Sequence, residues 1–307
     1  MVSGQDPSAD VVGPRYREIE VPVRGGALHA AVWEPEEGVE DAPTLVAIHG
    51  ITSSHMAWPE VAVLLPGVRV IAPDLRGRGH SNDLPAPYGL QSHADDVAGL
   101  LRYLDIQVAT VVGHSMGAAV GVVLADRHPE LVHALVLVDG GMPLLPPAVA
   151  EPEAMAEAVL GSAAQRLEMT FSGRDAYRAF WHDHPALGPY WSDSVAAYVD
   201  YDLEGEEPAT QPRTRVEALQ EDIRELVDGE ALITGLERLR HPSAWVVAAR
   251  GLHDEATPLY PQAAREHWAQ QFPQLSVSEI EDVNHYTIVM GSNGPAALEK
   301  TIRAALV

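Results

Sequence analysis

The stretch VVGHSMGAAVGVVLA, residues 111–125, passes from an apolar run through Gly113-His114-Ser115-Met116-Gly117 into small helix-forming residues. A buried strand that becomes a helix across one serine has two readings. The serine either caps the helix in a tight turn, or it sits exposed on a strained strand-to-helix elbow as a nucleophile. Glycine two positions to either side favours the elbow. The serine backbone is crowded against strand and helix there, and side chains at 113 and 117 would clash. The helix behind the serine also aims its N-terminus at the place where an oxyanion would form.

Outward from this stretch the chain alternates. Strand-like runs cover residues 19–23, 27–33, 44–48, 68–72, 110–112, 134–138, 244–248 and 275–280, with helical patterns such as 92–104 and 118–127 between them. Continuous apolar strands interleaved with helices predict a mostly parallel central sheet covered on both faces, an α/β fold. The alternation stops after Asp139. From 141 to 240 the chain is helix-rich and acidic, broken by Pro-Pro, Gly-Pro and Glu-Gly-Glu-Glu-Pro, before strand signals resume. The expected organisation is one core, 1–140 and 241–307, with a helical cap inserted at 141–240.

Composition narrows the function classes. With 46% apolar residues over 307 positions the chain can bury a sizeable core. The formal charge of −24 disfavours nucleic acid and anionic membrane surfaces as partners, since both repel an acidic protein. Cysteine is absent, which removes disulfides, thiolate metal sites and a thiol nucleophile. No basic-then-apolar leader opens the chain, and no apolar run reaches the roughly 18 residues of a membrane span. A soluble cytoplasmic protein acting on a small molecule is expected; oligomeric state is not legible.

A serine hydroxyl needs a base, and the base needs an orienting acid. His285, in SEIEDVNHYTIVMG, follows the last strand-like run and is the expected base. For the acid, Asp254 in ARGLHDEATP follows the strand ending near Ala249, while Asp139 ends the strand after the serine's helix. Asp254 is the expected acid and Asp139 its rival, because the order Ser, Asp, His is that of this architecture and strand ends on the serine's side converge there.

These residues together resemble the α/β-hydrolase fold superfamily, in its serine esterase and lipase-like branch with a helical cap. The similarity rests on Ile48-His49-Gly50, on Asp74-Leu75-Arg76-Gly77-Arg78-Gly79-His80-Ser81, on the Ser115 pentapeptide, on Gly251-Leu252-His253-Asp254 with Pro258, and on Asn284-His285. The resemblance implies an oxyanion hole built from the backbone N–H groups of Ile51 and Met116, and no cofactor or metal. It implies acyl transfer to water, on a carboxylic ester or lactone. A thioesterase, a C–C bond hydrolase or a cofactor-free perhydrolase would use the same residues, and a ligand receptor could retain them. Serine at 115 excludes the aspartate-nucleophile dehalogenases and epoxide hydrolases of this fold. The loop at Asp74 and 76–81 reads as structural.

The cap segment holds eight aromatic residues between positions 171 and 201, which points to a hydrophobic pocket. Trp181, Tyr190 and Trp191 there, with Trp58 beyond the Gly50 turn, are the expected lining of a small hydrophobic substrate. Arg174 and Arg178 lie in the same segment and could pair with a carboxylate. His182 and His184 in WHDHP have metal-ligand spacing without a convergent cluster, and the run 204–207 reads as a solvated loop.

Overall fold

Parallel strands cannot be joined by hairpins, so each pairing demands a crossover, and helices supply it here. The computed structural model describes residues 11–37, 41–144 and 165–307. In chain order the strands are β1 (Tyr16–Val23), β2 (Gly26–Trp33), β3 (Thr44–Ile48), β4 (Arg69–Pro73), β5 (Ala109–His114), β6 (Val132–Val138), β7 (Leu203–Glu204), β8 (Gln211–Pro212), β9 (Ser243–Ala248) and β10 (Leu275–Ile280). Eight of them form one sheet in the order β1-β2-β4-β3-β5-β6-β9-β10, and β7 pairs with β8 alone. β1 and β4 each pair antiparallel with β2, and the pairings from β4 to β10 are parallel. The eight strand-like runs of the sequence coincide with the eight strands of this sheet, seven lying within their strand and the run 68–72 offset by one residue from β4.

Period-2 alternation places the core on both faces. Val46 and Ile48 of β3 feed one apolar cluster, and Leu45 and Ala47 feed the other. Helices α1 (Pro59–Val63), α2 (Gly89–Tyr103) and α3 (Met116–Arg127) follow β3, β4 and β5. α3 is buried from Met116 to Ala125 and is apolar on every side, as a helix enclosed by the fold must be. β3, β5 and β6 are neighbours, so the loops leaving their carboxyl ends meet at one point of the sheet edge, where α/β folds build their sites.

Between β6 and β9 the described chain forms α4 (Arg174–His182), α5 (Asp193–Tyr201), the β7–β8 ribbon, α6 (Val216–Asp228) and α7 (Glu230–Arg238). After β9 come α8 (Gln262–Gln271) and, last, α9 (Asn293–Ala305). The segment's docking onto the core is polar and specific. Glu221, Asp222 and Glu225 of α6 accept from the N–H groups of Tyr88, Gly89 and Leu90 at 3.1, 2.7 and 2.6 Å. These are the orphan donors at the start of α2, and three carboxylates meet its positive end. The 204–207 run is not simply solvated: Glu204 accepts from Asn82 Nδ2 and from Arg215 Nη1, both at 2.6 Å. The Pro146-Pro147 break and the N-terminal ten residues lie outside the described residues. No helix among the described residues is long and apolar enough to cross a membrane.

Candidate active site

Ser115 follows β5 with φ 55° and ψ −122°, a conformation that L residues avoid and that costs about 1–3 kcal/mol. Its N–H donates to Val138 O at 2.9 Å, tying the turn to the end of β6. The glycines are steric necessities. A Cβ on Gly113 would stand 2.3 Å from the Gly117 carbonyl oxygen, and one on Gly117 would stand 2.1 Å from that of Ile48. A third, Gly140, was not singled out by the sequence; a Cβ there would lie 2.1 Å from Ser115 O.

His285 lies in the loop after β10 and is buried. Its Nδ1 donates to Asp139 Oδ2 at 2.7 Å. Asp139 is the first residue beyond β6, fully buried, and its Oδ1 accepts from Ala248 N–H at 3.1 Å. A carboxylate is acceptor-only, so the His285 proton sits on Nδ1 and the Nε2 lone pair is left for a hydroxyl. The expectation that Asp254 is the acid is therefore corrected. Asp254 is engaged elsewhere: Arg250 Nε pairs with its Oδ1 at 2.7 Å, and Asn284 Nδ2 donates to the same oxygen at 2.9 Å. The reason lies in the sheet order. β6 adjoins β5, so a residue one step past β6 is already beside the elbow, while Asp254 stands six residues past β9 in a turn closed on Arg250.

His114, the residue before the serine, was overlooked as a site residue. It is buried, and its Nε2 donates to the His285 carbonyl oxygen at 2.8 Å. Burial and the neighbouring His285 push its pKa well below the usual histidine range, so the ring is neutral. The available signal was a polar side chain ending an apolar strand, which must find a partner.

The turn facing Ser115 is held just as firmly. His49 is fully buried, its Nδ1 donates to Gly50 O at 2.7 Å, and its Nε2 accepts from Leu75 N–H at 2.9 Å. Burial lowers its pKa to about 4, which keeps this tautomer neutral. Arg78 is fully buried too, pairs with Asp222, and donates from Nε to Ile51 O at 2.9 Å. Gly50 C=O and Ile51 N–H belong to one trans peptide, so the His49 contact to that oxygen leaves the N–H directed away from the His49 ring. Met116 opens α3, where a helix leaves its first N–H groups without partners. Ile51, Ser115, Met116 and His285 all line one pocket.

The pocket lining is apolar and aromatic, but not with the aromatics expected. Tyr198, Tyr260 and Tyr286 line it, along with Leu226, Leu252 and Met290, and no arginine or lysine does so among the described residues. Trp58 and Trp181 are instead buried in the core cluster. Tyr190 and Trp191 line a second cleft, with Arg174 and Arg178, both of which pair with Asp200 at 3.4 and 2.6 Å. Trp191 packs partly buried against that core cluster, while the Tyr190 hydroxyl accepts from Arg250 Nη2 at 2.7 Å, and none of the four expected aromatics lines the serine's pocket. Alternation and composition report burial, not which cavity a ring borders. His182 stacks on Trp191 and His184 packs on Trp181 and His253, so neither converges on a common point.

Comparison with known proteins places the chain by family and fold. Residues 43–291 match the family model described as the alpha/beta hydrolase fold. An uncharacterized protein of Mycobacterium tuberculosis is 41% identical over 100 residues, 32% of this chain and 29% of that one. A bifunctional esterase/perhydrolase of Acinetobacter calcoaceticus is 32% identical over 157 residues, 50% of this chain and 54% of that one. The chain thus matches about a third to a half of the length of these curated relatives. Among solved structures, E-2-(acetamidomethylene)succinate hydrolase superposes with a TM-score of 0.75 at 22% identity, covering 94% of this chain and 98% of that one, which is a likeness of fold.

Proposed function

We propose, from the premise that this chain belongs to the α/β-hydrolase fold family, that it hydrolyses a carboxylic ester or lactone with a small, uncharged, apolar acyl part through an acyl-enzyme on Ser115. His285 Nε2 takes the Ser115 proton as the hydroxyl oxygen attacks the carbonyl carbon. Asp139 holds the imidazole in its productive tautomer and stabilises the imidazolium. The N–H groups of Ile51 and Met116 donate to the tetrahedral oxyanion. His285 then protonates the leaving alcohol. Water repeats the sequence on the acyl-enzyme and releases the acid.

The observation that carries this reading is the 2.7 Å hydrogen bond from His285 Nδ1 to buried Asp139, beside a serine held at positive φ. Substrate class rests on the pocket. Desolvating a carboxylate among tyrosines and leucines costs several kcal/mol without a cation to pair with it, and the described lining offers no arginine or lysine. The described helices between β6 and β9, α4 to α7, are proposed as a lid over this pocket, to which Tyr198 of α5 and Leu226 of α6 contribute.

The test is turnover of p-nitrophenyl butyrate, with labelling by a fluorophosphonate in parallel. Turnover together with one label per chain is expected. Stoichiometric labelling without turnover of this or other short esters and lactones would make the chain a ligand receptor instead.

A further inference from the structure

Beside His80, which packs on Tyr201 of α5, a buried polar atom is left without a partner. His29 of β2 is 3% exposed, and its Nε2 makes no hydrogen bond. Its Nδ1 donates to Glu20 Oε1 at 2.8 Å, so Nε2 carries a lone pair and requires a donor or a Lewis acid. What faces it is Glu18 Oε2 at 3.6 Å, beyond hydrogen-bond reach and itself an acceptor. His80, from the loop after β4, closes the group: its ring meets that of His29 edge-on with centroids 4.8 Å apart. One ligand atom from each of Glu18, His29 and His80 lies within 4.8 Å of the other two.

We propose that Glu18, His29 and His80 form a binding site for a divalent transition metal of the zinc class. Two imidazole nitrogens and one carboxylate oxygen suit zinc, cobalt or nickel, whereas magnesium and calcium take oxygen ligands almost exclusively. The supporting shell is present. Glu20 holds the His29 proton on Nδ1, the carboxylate–histidine arrangement that orients metal-bound imidazoles. Tyr16 O–H donates to Glu18 Oε1 at 2.6 Å and fixes that carboxylate. The His80 backbone N–H donates to Asp74 Oδ2 at 2.9 Å, which anchors its loop.

Neighbouring His55 and Asp74 are supporters rather than ligands, because their atoms are already used. His55 Nδ1 meets Asp74 Oδ1 at 3.0 Å, His55 Nε2 meets Tyr16 O–H at 2.9 Å, and Tyr201 O–H donates to Asp74 Oδ2 at 2.6 Å. Three protein ligands leave a fourth position open toward a cleft of about 1420 Å³, which Glu18 and His80 line and which shares no lining residue with the Ser115 pocket. The metal would tie the antiparallel edge of the sheet, β1 and β2, to the Asp74 loop.

The experiment uses the full chain without an affinity tag, stripped with EDTA, and titrates it with Zn²⁺ by calorimetry and with Co²⁺ by visible absorption. One Zn²⁺ per chain is expected, with Co²⁺ ligand-field bands and a melting temperature that rises with excess metal. Glu18→Gln and His80→Ala change exposed side chains. Each should weaken Zn²⁺ binding by at least about tenfold and reduce the Co²⁺ bands, while p-nitrophenyl butyrate turnover of the metal-free protein stays unchanged. Absence of stoichiometric binding, or binding unaltered in both variants, would overturn the site.

Discussion

His114 holds His285 from behind: its Nε2 donates to the His285 carbonyl oxygen at 2.8 Å while the His285 ring reaches Asp139 at 2.7 Å. The residue preceding the elbow serine thereby fixes the backbone of the proposed base, and the elbow fixes His114. Replacing His114 with alanine should lower kcat by about 10- to 100-fold with KM changed far less, since an ångström of misplacement costs about two orders of magnitude. Steady-state kinetics on a short ester check this; an unchanged kcat would mean that Asp139 alone positions the imidazole.

The acid is tested by rank. Asp139→Asn should lower kcat by roughly two to four orders of magnitude through loss of imidazole orientation. Asp254→Asn should leave kcat within about tenfold, because its partners are Arg250 and Asn284. Parallel kinetics of the two variants decide the matter, and the reverse ranking would reinstate the loop after β9.

The contrast between these two aspartates marks where the sequence stops being legible. Apolar runs and the Gly113 and Gly117 clash positions are local, so strands, elbow and fold family follow from them. The proposed base could be picked out because His285 lies in the loop after the last strand, which ends at Ile280. Which strand-end aspartate reaches it depends on sheet order and on loop length after each strand, and a lone sequence carries neither directly. Trp58 and Trp181 show the same limit, since hydrophobicity predicts their burial but not the cavity they face. Glu18, His29 and His80 meet through β1, β2 and a loop, at a spacing no linear motif records.

Acid stability follows from the buried neutral histidines. His49 has its pKa lowered by burial to about 4, and that of His114 lies well below the ordinary value. Between pH 6.5 and about 4 the unfolded chain binds protons at these positions and the folded chain does not, so stability rises with pH through this window. Each such histidine should therefore cost about 1.4 kcal/mol per pH unit as pH falls below 6.5. Carboxylates of the unfolded chain titrate mostly below this range. Urea midpoints measured from pH 7.5 to 4.5 should be flat at the top and fall steadily below pH 6.5; a level profile down to pH 4.5 would contradict the neutral, buried assignment.

Substrate charge separates the apolar pocket from an arginine-lined one. Arg174 and Arg178 are paired with Asp200 on a different cleft, so they do not serve a carboxylate at Ser115. In a matched series of neutral and carboxylate-bearing esters and lactones, kcat/KM should favour the neutral member by tenfold or more (about 1.4 kcal/mol). Part of that preference should weaken with salt, because the chain's charge of −24 repels anions at long range. A carboxylate-bearing substrate preferred at both low and high salt would point to a cationic subsite.

The central claim is that Ser115 is the acylated nucleophile, and the most direct measurement is to locate a covalent adduct. After reaction with a fluorophosphonate, intact-mass and peptide mass spectrometry should find one adduct per chain, on Ser115. Ser115→Ala should take up no label and lose several orders of magnitude in kcat while keeping its melting temperature. An adduct on another residue, or a Ser115→Ala protein that retains more than about a tenth of the wild-type rate, would contradict the assignment, since the oxyanion donors alone supply far less.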